Sequence, residues 1–131
     1  MTLQELSQLY YLNREIKMDK RRLAELELKV LPGAQSMSGM PHAPGVADKV
    51  GTYAAEMADL RAIIEEKSRR CLEERIRLER YIAGIEDSLM RQIFTYRFVD
   101  GRTWGQVAQR VGGQNTAASV KMLCHRYLER E

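Results

Sequence analysis

Cysteine occurs only twice in 131 residues, at Cys71 and Cys124, phenylalanine twice and tryptophan once. Two distant cysteines do not make a disulfide framework, so a reducing cytoplasm is the expected compartment. No run approaches the roughly 20 consecutive apolar residues of a membrane span. The first residues, MTLQELSQLYYLNREIK, lack the basic-then-apolar order of a signal peptide. A membrane is therefore not an expected partner. An excess of one charge is missing too: 21 Lys and Arg stand against 18 Asp and Glu, a net +3. Charge alone does not identify a nucleic-acid partner.

The signatures of catalysis are also absent. His42, Cys71, Cys124 and His125 do not have zinc-ligand spacing. There is no phosphate-binding G-x-x-x-x-G-K-[ST] and no G-x-S-x-G. The carboxylates fall in helix-surface spacings such as Glu65/Arg69 and Glu73/Arg77, which support a helix weakly. No enzyme activity, metal or cofactor is expected, and both cysteines read best as core residues.

Proline is confined to Pro32, Pro41 and Pro44, interleaved with Gly33, Gly39 and Gly45. No residue from 32 to 47 is charged, and proline bars a helix interior. A loop over 32–47 is predicted, with helices on both sides. The first helix is expected over Leu3 to Leu31, with Leu9, Leu12, Ile16, Leu23, Leu26 and Val30 spaced alternately by three and four and only Asp19 breaking the series. The second is expected from an N-cap at Asp48 to Ile82 or Gly84. Val50, Tyr53, Met57, Leu60, Ile64, Cys71, Leu78 and Tyr81 keep its frame, and Lys67 and Glu74 are the exceptions. Leu72, Ile76 and Ile82 widen the apolar face. Such narrow stripes fit a coiled-coil-like helical hairpin over 1–84 that self-associates into a homodimer. The opposite face of the first helix carries Arg14, Lys17, Lys20, Arg21 and Arg22, either a binding surface or a solvated one.

From 85 to 131 the pattern changes to three short helices, making the whole chain all-α. The first is expected from Asp87 to Val99, ended by Asp100-Gly101. Thr103 caps the second, whose inner side is Trp104, Val107, Ala108 and Val111. Gly112-Gly113 ends it, supplying the positive φ of a tight turn. The third runs from Thr116 to Leu128, with Val120, Leu123, Tyr127 and Leu128 inward and Cys124 at the margin. This order is that of a helix-turn-helix, whose last helix lies in the major groove of double-stranded DNA. The outward face is Ala117, Ala118, Ser119, Lys121, Met122, His125 and Arg126, short at the helix start and basic further on. Gln114, Asn115 and Thr116, the capping cluster, are counted with it as candidate DNA-binding residues. A plain three-helix bundle is the alternative.

The stretch IEDSLMRQIFTYRFVDGRTWGQVAQRVG resembles region 4 of sigma-70-type factors. Continued through GGQNTAASVKMLCHRYLER, it resembles a group of small phage proteins of Gram-positive phages and prophages, close to the ArpU and RinA families of late-gene transcriptional regulators. The hairpin segments and ADKVGTYAAEMADL resemble the same group, so the likeness covers nearly the whole chain. It implies that Trp104, Val107 and Ala108 are buried, that Thr116 caps the recognition helix, and that Ala117, Ala118, Ser119, Lys121 and Met122 face DNA. Sigma region 4 usually carries charged residues where this chain has Ala117 and Ala118, and nothing here resembles the promoter-melting region 2. The implied function is a sequence-specific, DNA-binding regulator of late phage transcription, with bacterial RNA polymerase as a candidate second partner. The alternatives are a DNA-packaging subunit of the small-terminase type, which also joins a helix-turn-helix to an oligomerising hairpin, and a helical adaptor to the polymerase.

Overall fold

The computed structural model describes residues 1–31 and 44–131, with side chains from 49 onward in the second stretch. The described residues are all-α and contain no strand. They form α1 (Leu3–Leu6), α2 (Gln8–Lys29), α3 (Pro44–Ala83), α4 (Ser88–Phe94), a π-helical segment (Thr95–Val99), α5 (Trp104–Val111) and α6 (Ala117–Glu129).

Two boundaries depart from the sequence expectation. The first helix is divided, because the Ser7 hydroxyl donates to the Leu3 carbonyl at 2.8 Å and Ser7 takes ψ −7°. Such back-bonding competes with the helical ladder. Thr2 and Glu5 form a reciprocal capping box ahead of it. The second long helix begins at Pro44, so Asp48 lies inside it and is not its cap. Proline is suited to a first helical turn, where its missing N–H would have no partner anyway. Of the loop expected at 32–47, residues 44–47 are therefore helical, and 32–43 lie outside the described residues.

Packing divides the chain elsewhere than at Gly84. One compact unit is Arg14–Arg69; the other joins Met1–Asn13 to Arg70–Glu131. In the first unit the arms of α2 and α3 run antiparallel. Leu26 is buried with Met57 and Leu60, flanked by Leu23, Val30 and Tyr53. The two stripe-breaking residues answer each other: Lys67 Nζ lies 2.6 Å from Asp19 Oδ2 and 3.4 Å from Glu15 Oε2. These carboxylates hold the Lys67 ammonium above its usual pKa, the Asp19 hydrogen bond first among the causes. Arg61 reaches Glu27 at 3.5 Å, and the Lys29 ammonium stands 5.6 Å from the Tyr53 ring.

In the second unit a single core takes in Leu6 and Leu9 from the start of the chain and Leu78, Ile82 and Ile85 from the end of α3. It continues through Met90, Ile93, Phe94, Phe98, Val107, Ala108, Val120 and Cys124. Phe94 is its centre, fully buried, with edge-on contacts to Phe98 at 5.3 Å and Tyr127 at 5.5 Å. Removing such a ring costs about 3–5 kcal/mol. Arg91 bridges the end of α3 to α4 by donating to the carbonyls of Ile85 at 2.6 Å and Glu86 at 2.8 Å. Arg77 lies 3.7 Å from both Glu74 and Glu5.

The apolar stripe read as a self-association surface is largely spent within the chain. Leu9, Ile16, Leu26, Met57, Leu60 and Leu78 are all buried. Of the neighbouring stripe, Ile82 is buried while Leu72 (59% exposed) and Ile76 (40%) face outward.

Candidate nucleic-acid interface

The segment before the motif sets its first helix. Thr95 Oγ1 donates to the Arg91 carbonyl at 2.7 Å, and the Asp100 amide reaches back five residues to the Thr95 carbonyl at 3.0 Å. The ladder thus widens to a π turn over Thr95–Val99, where a regular helix was expected. Arg97, on this turn, lays its guanidinium 4.5 Å from the centre of the Trp104 ring and donates to the Arg102 carbonyl at 2.9 Å. It ties the π segment to the start of α5. Sequence reasoning gave Arg97 no such role. Its only signal was a cation near a lone tryptophan, and their meeting depends on the π turn.

Thr103 and Gln106 close a capping box on α5, which runs as expected from Trp104 to Val111. Val107 and Ala108 are buried and Trp104 half-buried. Gly112 then takes φ +71° and ψ −156°, and Gly113 φ +66°. Positive φ was expected here. The ψ of Gly112 is not that of a left-handed helical cap, but belongs to a region essentially reserved for glycine. Asn115 Nδ2 donates to the Gly112 carbonyl at 3.0 Å, so its side chain serves the turn. Thr116 caps α6: the Ser119 amide donates to Thr116 Oγ1 at 3.1 Å, and the Thr116 amide to Ser119 Oγ at 2.8 Å. The amides of Ala117 and Ala118 precede the intrahelical ladder, as at any helix start.

The candidate residues divide in three. Gln114, Thr116, Ala117, Ala118, Lys121, Met122 and Arg126 are exposed, Met122 by 51%. Neither Lys121 nor Arg126 forms an ion pair among the described residues. Asn115 and Ser119 are half-buried and engaged in the turn and the cap. His125 is half-buried in an open hollow of about 520 Å³ that it shares with Met1, Leu3 and Leu128. The N-terminal segment, rather than solvent alone, is its neighbour. Cys124 is fully buried, not marginal, and burial pushes its thiol up to about 11.

No protein-family model, curated protein or solved structure matches the chain. Among the described residues no group of three metal-ligating side chains comes together, and no helix is long and apolar enough to cross a membrane.

Proposed function

We propose that this protein is a sequence-specific regulator of phage or prophage late transcription that reads double-stranded DNA with α6, in a bacterial cytoplasm. The observation that carries the reading is the pairing of a glycine-only turn at Gly112 with a capped helix whose outward cations, Lys121 and Arg126, have no ion-pair partner among the described residues. Ala117 and Ala118 leave the start of α6 slim enough for close approach to a groove wall. Met122 offers an apolar surface of the kind that meets a thymine methyl, while Lys121 and Arg126 suit phosphate or guanine edges. RNA polymerase is the second partner in this reading, and neither catalysis nor a cofactor is needed.

The test is selection of bound fragments from genomic DNA at a stated salt concentration. Titrations of Lys121→Ala and Arg126→Ala on the selected site should follow. Each variant should bind more weakly, with the salt slope flatter by roughly one per lost phosphate contact. Wild-type affinity in both variants would remove α6 from the interface.

A homodimer belongs to the same reading, since two motifs about a two-fold axis read a two-part site. With the main stripe buried, its contact falls to the exposed strip of α3. An antiparallel pairing there sets Leu72 of one copy on Ile76 of the other. Leu72→Glu with Ile76→Glu should shift a dimer to a monomer in sedimentation. A ring of eight or more subunits would instead move the reading to DNA packaging.

A further inference from the structure

The hairpin unit carries a basic face that the helix-turn-helix reading leaves unused. Lys17, Lys20, Arg21 and Arg22 fall within about 7.5 Å of helix axis, and all four are exposed. At 3.6 residues per turn, Lys17 and Arg21 lie opposite the side of α2 that buries Ile16 and Leu26. On an ordinary solvated helix, interleaved acids would neutralise such a run. Two of the nearby acids are turned away, Asp19 lying 2.6 Å and Glu15 3.4 Å from Lys67 on the facing arm, while Glu25, one turn beyond Arg21, stays exposed. None of the four cations forms an ion pair or a side-chain hydrogen bond among the described residues. Lys67 thus anchors the hairpin and at the same time holds Glu15 away from the outer face.

We infer that this face of α2 is a second polyanion-binding surface, and that its ligand is the phosphate backbone of duplex DNA. It rests on the proposed function only in taking duplex DNA as the partner. Lys17 and Arg21 on the outer side, flanked by Lys20 and Arg22, form an unpaired cationic surface without base-reading amides or exposed aromatics among them, which suits backbone phosphate, where affinity comes from counterion release and carries no sequence information. The face would add affinity equally to specific and non-specific sites.

The experiment uses the full chain with Lys17, Lys20, Arg21 and Arg22 all changed to Gln, and a second variant with lysines and arginines exchanged at the same positions. Each is titrated with a selected site and with an unrelated duplex from about 50 to 200 mM salt. The Gln variant should keep wild-type helix content and melting temperature. Its salt slope should fall by about two or more on both duplexes, with at least about tenfold weaker binding at low salt. The exchanged variant, which keeps the charge, should retain the wild-type slope. An unchanged slope in the Gln variant, while Lys121→Ala weakens specific binding, overturns the inference and leaves the α6 reading intact. A flattened slope together with indifference to Lys121→Ala and Arg126→Ala supports the inference and overturns the α6 reading. Binding of the wild type to phosphatidylserine vesicles but not to duplex would assign the face to a membrane and overturn the inference.

Discussion

Gly112 is the residue on which the motif's turn depends most directly. At φ +71° and ψ −156° a side chain is strained whatever room surrounds it, and no atom stands within 4 Å of where its Cβ would be. The cost of Gly112→Val is therefore backbone strain alone, about 1–3 kcal/mol. It should exceed that of Gly113→Val and lower DNA affinity before it disturbs assembly. Thermal unfolding beside a DNA titration checks this, and wild-type binding by Gly112→Val would remove Thr116 to Leu128 from the role of recognition helix. Cys124 offers a second test. Its folded pKa is raised, so the folded state holds its proton more tightly than the unfolded one. The stability this contributes is complete below the ordinary thiol range and is lost as pH rises toward about 11. Melting temperature should fall between about pH 9 and 11, and fall less in Cys124→Ala. At pH 8 in the folded protein a thiol reagent should label half-exposed Cys71 and leave Cys124 untouched.

At the scale of an element, the hairpin shows how two apparent flaws in a repeat specify one pairing. Asp19 and Lys67 each interrupt an apolar stripe, and each would be an error if read alone. Their contact at 2.6 Å fixes which turn of α2 meets which turn of α3, as a buried polar pair fixes register in a coiled coil. Replacing only Asp19 with Leu removes the 2.6 Å contact, leaves Lys67 with Glu15 at 3.4 Å as its one carboxylate partner among the described residues, and should lower the melting temperature. Adding Lys67→Leu should recover that loss or exceed it, because a well-packed apolar pair is often at least as stable as an ion pair. A double-mutant cycle by thermal unfolding gives the coupling directly. An additive result would mean that the pair does not define the register.

At the scale of the whole molecule, the compact unit that contains the motif is not contiguous in sequence. Leu6, Leu9, Leu78 and Ile82 share a core with Phe94, Val107 and Val120. Four side chains of this kind contribute roughly 6–12 kcal/mol of burial, comparable to the entire stability of a small domain. A fragment spanning 85–131 should therefore be largely unfolded by circular dichroism at room temperature. Full-length protein lacking residues 1–13 should lose cooperative melting of the C-terminal helices. A fragment that melts like the intact chain would show that the motif carries its own core.

Local rules were enough for most of the elements. The three-and-four spacing placed the hairpin arms, and Thr103, Thr116 and the Gly112-Gly113 pair placed α5 and α6, because caps and positive-φ turns are written in neighbouring residues. Exposure of Lys121, Met122 and Arg126 followed from the same periodicity. Four matters were decided only by tertiary structure. The meeting of Arg97 with the Trp104 ring depends on the π turn that carries Arg97. The shielding of His125 depends on a segment more than a hundred residues away in sequence. The union of the first thirteen residues with the motif depends on long-range burial. The turning of Glu15 away from the basic face of α2 depends on Lys67 of the facing arm. Periodicity along one helix says which side a residue occupies, but not which partner from another helix will claim it.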